Sequence, residues 1–341
     1  MPPRRSSQDK APSQVDVARL AGVSAQTVSR VMSNQGSVRP ETARRVLAAV
    51  DELGYRIHAA AASLASGRTR LLGVIIVSND RYSIGAHGVG IEQAAAAHGY
   101  TVTTAAVAEH ASSDAFIEAF DRLERQGAEG IILGIPIDLD TPAMRVRTER
   151  TPTVRSERSE LDPHSPFAVD QALIGRLAVE HLLELGHRTV WHVTGDDYWM
   201  ETDERRTAWQ QVLTEHGITP PPVIPGNWTP ESGYRAGRTI AAIPDATAVF
   251  VSSDEMAFGV LRALHEAGKR VPEDVSVVSV DGIPLSAYAS PALTTVRQPF
   301  EDVGRAAALR LIAMLEGSSV GELPHIEPTL VVRASTAPPA K

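Results

Sequence analysis

The apolar positions of this chain follow two rhythms, one near the start and another after residue 70. In "AGVSAQTVSRVM" (21–32), Val28, Val31 and Met32 recur at i, i+3 and i+4, the spacing of one helix face. Gln26 and Arg30, four apart, share a different and polar face. Ser24 stands where a hydroxyl can cap the first turn. Upstream, "SQVDVARLAG" offers Ser13 as a cap and Val15, Val17, Ala18 and Leu20 as a short apolar set. Gly22 lies between the two segments, where a tight turn needs positive φ. Two short helices joined this way predict a helix-turn-helix. "RPETARRVLAAVDELGY" predicts a third helix, with Pro40 in its first turn and Glu41 at its positive end. Its expected buried side is Val46, Leu47, Val50 and Leu53, and Gly54 is its stop.

From Leu71 onward, short apolar runs alternate with longer amphipathic ones. "LLGVIIVSN", "YTVTTAAVA", "GIILGIPI", "TVWHVTG", "TAVFVSSD" and "VSVVSVDG" read as strands. Helices are expected at 88–99, 113–126, 173–187, 204–217 and 255–268. Strands alternating with helices predict doubly wound parallel sheets. The segment is too long for one such sheet of usual size. A break near "SPFAVDQ" (165–171) would leave two halves of about five strands each, with a cleft between them. Ligands of such folds sit at the carboxyl ends of strands. That rule nominates 78–80, Gly134, Gly195–Asp197, 252–254 and 280–282.

Charge sharpens this division. The net charge of −8 is unevenly spread. Through Arg70 there are 11 basic and 5 acidic residues, or +6; the rest carries 22 basic and 36 acidic, or −14. A basic head on an acidic body implies that only the head approaches a polyanion. "MPPRRSSQDKAPS" reads as a disordered basic tail, without the apolar core of an export signal. The chain has no cysteine, which suits the cytoplasm, and no apolar run of membrane-spanning length.

Catalytic chemistry finds no support. "GVGIEQ" (88–93) begins like a dinucleotide fingerprint, but Gln93 stands where the third glycine belongs. There is no phosphate-binding loop, nucleophile elbow or helical zinc motif, and the 11 histidines are scattered. His181 and His187, at a helix end, are expected to be solvated or capping. No enzyme activity, cofactor or metal is expected.

"VDVARLAGVSAQTVSRVMSNQGSVRPETARRVLAAVDELGY" resembles the DNA-binding head of the lactose/galactose repressor family of bacterial transcription regulators. The likeness continues through "HLLELGHRTV", "FVSSDEMAFGVLRAL", "VPEDVSVVSVDG" and "LTTVRQPFEDVGRAAALRLI", covering essentially the whole chain. It implies an all-α headpiece and a core like a periplasmic sugar-binding protein, built of two doubly wound subdomains. The implied limits are a tail at 1–12, the head at 13–57, a hinge at 58–69 and the core at 70–341. Within the core, one subdomain would take about 70–167 and 298–325, the other about 168–297 and 326–336.

The resemblance also implies a homodimer on a palindromic double-stranded operator, close to the nucleoid. Ala25, Gln26 and Arg30 would meet base edges, where Gln suits adenine, Arg suits guanine and Ala offers only a methyl group. Thr27, Ser29 and Ser33 would bond phosphates. In the hinge, Leu64, with Ala61 beside it, would enter the minor groove as an apolar wedge. Family members often carry Pro-Asn before the hinge, where this chain has Ile57-His58. For the effector, the implied set is Arg205, Asp281, Trp228, Ser253, Phe167 and Phe300, with Tyr82 and Glu157 at the margin. Charged groups would fork onto sugar hydroxyls and aromatics would cover ring faces. A small sugar that releases the repressor is the leading expectation. A purine-like corepressor, or an importer's solute-binding protein, is the rival. Some members end in an apolar heptad helix that makes tetramers; "TLVVRASTAPPAK" shows no such pattern, which favours a dimer.

Overall fold

The computed structural model describes residues 12–32, 38–56, 67–78, 81–134, 141–156, 168–319 and 326–340. The chain divides into two compact units, Met1–Thr69 and Arg70–Lys341.

The first unit is helical: α1 (Gln14–Ala21), α2 (Ala25–Met32) and α3 (Pro40–Leu53). Ser13 and Asp16 form a reciprocal capping box at the start of α1. Gly22 closes that helix at φ 65°, donating its N–H back to Ala18 and Arg19. At the head of α2, the Thr27 N–H donates to Ser24 Oγ at 3.2 Å. The Gln14 side chain donates to the Ala25 carbonyl at 2.9 Å, tying the two helix starts together. The core is small: Val17, Ala18, Ala21, Val28, Val46 and Ala49, flanked by Val31, Met32, Val50 and Leu53. Val15, Leu20 and Leu47 depart from the expected core and are exposed. The buried stripe of α1 runs through 17, 18 and 21, which turns positions 15 and 20 aside. In α3, the stripe at 46, 49, 50 and 53 leaves Leu47 about a quarter-turn away.

The second unit holds two sheets. In the first, β1 (Leu71–Ser78), β2 (Thr101–Ala108), β3 (Gly130–Gly134) and β4 (Thr153–Arg155) run parallel in the order β2-β1-β3-β4. Val74 pairs with Thr104 on one side and Ile132 on the other. Helices α4 (Tyr82–Ala97), α5 (Ser113–Arg125) and α6 (Pro142–Arg150) connect them. In the second, β5 (Trp191–Val193), β6 (Ala248–Val251), β7 (Ser276–Asp281) and β8 (Thr294–Arg297) are parallel. The edge strand β9 (Thr329–Val331) pairs with β8 antiparallel. Among the described residues the first sheet has four strands, and the second is mixed rather than wholly parallel. Around it lie α7 (Gln171–Glu184), α8 (Met200–Glu215), α9 (Pro230–Ala241) and α10 (Asp254–Glu266).

After β8, the chain returns to the first sheet's side as α11 (Phe300–Glu316), which packs on α4. Contact there is close: a Cβ on Gly304 would lie 2.1 Å from the His87 carbonyl. Helix α4 begins at Tyr82, six residues before the expected start, because Ala86, His87, Gly90 and Ile91 are buried in this packing. Of the glycines of "YSIGAHGVG", Gly90 is the contact residue: a Cβ there would lie 1.9 Å from the Glu301 carbonyl. His181 and His187 are not solvated: His181 Nε2 meets Thr336 Oγ1 at 2.9 Å, and His187 Nε2 meets the Ala337 carbonyl at 3.0 Å. Both hold the C-terminal segment against the second sheet.

Candidate functional sites: an exposed helix row and a buried polar cleft

On α2, Ala25, Gln26, Ser29 and Arg30 form an exposed row, while Val28 on the opposite side is buried. A row at i, i+1, i+4 and i+5 is one helix face, so the packing that buries Val28 turns these four outward together. Thr27 is half-buried, and its hydroxyl lies 2.9 Å from Ser24 Oγ at the cap. Ser33, Ala61, Leu64, Glu157 and Phe167 lie outside the described residues.

In the second unit, a cleft of about 850 Å³, open solvent included, gathers Arg205, Trp228, Ser253, Asp281 and Phe300. Tyr82 instead lines a neighbouring groove, its ring edge-on to Phe300 at 6.5 Å. Ser253 is committed to the fold: it caps α10, its Oγ accepting from the Met256 N–H at 3.2 Å.

Arg205 is 3% exposed, which for a guanidinium demands partners. Its Nε donates to Gln171 Oε1 at 2.9 Å and its Nη1 to the Ser252 carbonyl at 2.7 Å. Gln171 Nε2 donates onward to Gln298 Oε1 at 3.2 Å, and Gln298 Nε2 donates to Asp281 Oδ1 at 2.8 Å. Guanidinium and carboxylate are therefore joined through two glutamines, not as a direct ion pair. Each amide is oriented by the charged group at its end of the chain. Burial drives the Asp281 carboxyl well above the usual carboxylate range, with Glu255 and Asp254 adding to it and Arg205 and Gln298 opposing. Asp281 sits at φ 113° and Trp228 at φ 70°, backbone settings that non-glycine residues seldom take. The next turn is pinned by Asp254, which accepts from the Ile283 N–H, Ser286 Oγ, Thr295 Oγ1 and Ser279 Oγ.

Trp228 closes one side of the cleft. Its indole lies against Gly195, where a Cβ would fall 2.1 Å from the ring. Arg205 Cζ lies 5.6 Å from the ring centroid and Arg81 Cζ 5.4 Å. Arg81 also covers Trp199 at 4.8 Å and pairs with Glu109.

Sequence reasoning missed several lining residues: Arg81, His87, Gln171, Trp199, Glu201, Glu255 and Gln298. One signal was available. Trp199 and Glu201 follow the strand end nominated at Gly195–Asp197, and Gln298 directly follows β8, whose brevity hid it. His87 is buried, which holds its imidazole down to about 4, and its Nε2 has no partner among the described residues. Burial pushes the Glu201 carboxyl upward, against nearby Arg205 and Arg81.

An exposed helix-turn-helix face on one unit and a polar, aromatic-lined cleft between two wound sheets on the other define a ligand-responsive DNA-binding regulator. Residues 15–57 match the model of bacterial regulatory proteins, lacI family, and residues 179–336 match a periplasmic binding protein-like domain. The chain is 31% identical to the lactose operon repressor of Escherichia coli strain K12, over 95% of this chain and 90% of that protein. It is 34% identical to the HTH-type transcriptional regulator MalR of Streptomyces coelicolor, over 94% and 96%. Among solved structures, the Lac repressor dimer bound to operator and the anti-inducer ONPF matches at TM-score 0.85 and 30% identity, covering 96% of this chain and all of that one. The chain belongs to the lacI family of transcription regulators. The relatives it matches are regulators, not enzymes.

Proposed function

We propose that this protein is a repressor that binds a palindromic operator as a homodimer and is released by a small sugar. The reading assigns residues 13–57 to DNA, 58–69 to a hinge and 70–341 to effector binding and dimerisation. The observation that carries it is the exposed row of Ala25, Gln26, Ser29 and Arg30, borne by a head of opposite charge to the body. Gln26 and Arg30 read bases, Ala25 offers a methyl contact, and Ser29, Thr27 and Ser33 position the helix on phosphates. Leu64 and Ala61 serve the minor groove. In the cleft, Arg205 and Asp281 hold effector hydroxyls and Trp228 and Phe300 cover its ring. Phe167, Ser253, Tyr82 and Glu157 complete the sequence-based set, with Ser253 acting through the helix it caps. Effector and operator then change each other's affinity by one common factor. The site of action is the cytoplasm, at the nucleoid.

The test is binding to a labelled operator-like palindrome across salt, with and without sugars. A steep fall of affinity with salt, and release by a sugar, is the expected result. Tighter binding on adding a purine would replace induction by corepression. Equal binding to random duplex under all conditions would reject the reading.

A further inference from the structure

The proposed effector site has an unusual charge balance. Three carboxylates line it: Glu201, Glu255 and Asp281. None of the three is ion-paired among the described residues; Glu255 accepts from the Tyr82 N–H at 3.3 Å, and Asp281 accepts from Gln298. Of the two guanidiniums in the cleft, Arg81 pairs with Glu109, outside the lining. Arg205 donates to Gln171 and to the Ser252 carbonyl, both neutral acceptors, so its single charge is the one left facing the three acids. Acidic side chains thus outnumber the cationic ones left to answer them, and burial pushes Glu201 and Asp281 toward their protonated forms, so a cation in the cleft would hold them ionised.

A second observation points to a ligand in the same space. Trp199 Nε1, Trp228 Nε1 and His87 Nε2 belong to lining residues no more than 8% exposed, and none has a hydrogen-bond partner among the described residues. Indole N–H groups can only donate, so they call for acceptors such as hydroxyl oxygens. The carboxylates can only accept while ionised, so they call for donors or a cation. A phosphorylated or carboxylated sugar supplies the acceptors but sets its charge against three carboxylates. A neutral sugar answers the indoles and leaves the excess charge standing. The indoles themselves already lie beside cations, with guanidinium carbons 4.8 to 5.6 Å from their ring centroids. Ring faces in this setting attract positive charge.

We propose that the effector is a polyhydroxylated amine, an amino sugar or iminosugar, whose ammonium is met by Glu201 with Glu255 and Asp281, and whose hydroxyls take the Trp199 and Trp228 N–H groups. This rests on the reading of the cleft as the effector site. Glu201 is the specificity residue of the three. It stands half-buried on the first turn of α8, one turn before Arg205, where it lines the cleft.

The experiment is calorimetric titration of the full chain near neutral pH. The probes are glucosamine, galactosamine, mannosamine and 1-deoxynojirimycin, against glucose, galactose, mannose and the N-acetylated amines. At least one amine is expected to bind about tenfold or more tightly than its hydroxyl parent and its N-acetyl form. Glu201→Gln is expected to remove that advantage, bringing the affinity ratio of amine to parent sugar close to one. The Glu201→Gln protein is checked for an unchanged melting temperature, and Glu201→Asp, which keeps the charge, should retain part of the preference. Amines that bind no better than their parents, or a preference that survives Glu201→Gln, overturns the inference, as does failure of every amine to bind. A parallel operator-release assay separates the two readings. If neutral sugars release the operator and amines hold no advantage, only this inference falls. If amines bind with the expected preference and the operator is not released, release by the effector falls and only the amine preference of the cleft stands.

Discussion

The headpiece and the cleft carry their side chains in opposite ways. Gln26 and Arg30 stand exposed on an eight-residue helix. Arg205 and Asp281 sit in the second unit amid a continuous chain of hydrogen bonds from guanidinium to carboxylate. An exposed side chain can be exchanged without unsettling its neighbours, so base choice can change one residue at a time. A buried one cannot: each member of the Arg205–Gln171–Gln298–Asp281 chain orients the next. The head is built for replaceable contacts and the cleft for fixed ones. A change in the head should alter what is bound, whereas a change in the cleft should alter binding and stability together.

The largest expected effect tests whether the two regions divide the labour at all. A protein beginning at Arg70, the start of the second compact unit, should lose operator binding entirely and keep its effector affinity and melting temperature. Gel shift and calorimetry on the same preparation check this. Retained operator binding would end the comparison.

Next in size is Arg205→Ala. It leaves Gln171 Oε1 and the Ser252 carbonyl without donors in a dry setting, at a cost of about 2–5 kcal/mol of stability. It should also abolish effector-driven release. Urea denaturation measures the first loss and operator release the second. A variant as stable as the parent would show that the relay does not hold the cleft together. Arg30→Ala should be the reverse, leaving stability unchanged while relaxing base choice at one operator position by about 1–3 kcal/mol. Equal loss on every sequence would move Arg30 from base to phosphate.

The same contrast explains what could be read from the sequence. The head was legible because its logic is local: Ser13, Gly22, Ser24 and Gly54 mark helix ends, and Val28 with Gln26 and Arg30 mark two faces of one helix. Even there, Val15, Leu20 and Leu47 were misplaced, since only the packed partners decide how wide a buried stripe is. The core's alternation was legible too, β5 included, but short β4 and β9 carry three residues each and give almost no periodic signal. The cleft is assembled from strand ends far apart in sequence. The strand-end rule nominated Asp281, but Arg205, Trp228 and Phe300 came from family resemblance alone, and no pattern within the chain could bring Gln171 to Gln298 or His87 beside Gly134.

Burial in the cleft also has a pH signature that the exposed row lacks. His87 stays neutral in the fold down to about 4, against 6.5 for a solvated imidazole. Between those values the unfolded chain takes up a proton that the folded chain refuses, so this residue lowers stability as pH falls. His87→Gln should remove up to one proton's share of the slope, about 1.4 kcal/mol per pH unit, across that window. Melting curves of both proteins at matched pH values give the difference, and parallel slopes would show that His87 is hydrated in the fold.

The smallest expected effect falls on Ser24, where the exposed face meets the structure that presents it. Its hydroxyl accepts the Thr27 N–H and lies against the Thr27 hydroxyl, so it sets the first turn of α2. Ser24→Ala should cost about 1 kcal/mol of helix stability. It removes no base contact, so operator affinity should weaken by a similar factor on every sequence, without a change in base preference, and effector affinity should not move. A panel of single-base operator variants distinguishes this from Arg30→Ala, whose loss concentrates at one position. If Ser24→Ala also shifted base preference, the cap and the reading row would be one coupled element. The head would then share the interdependence that marks the cleft.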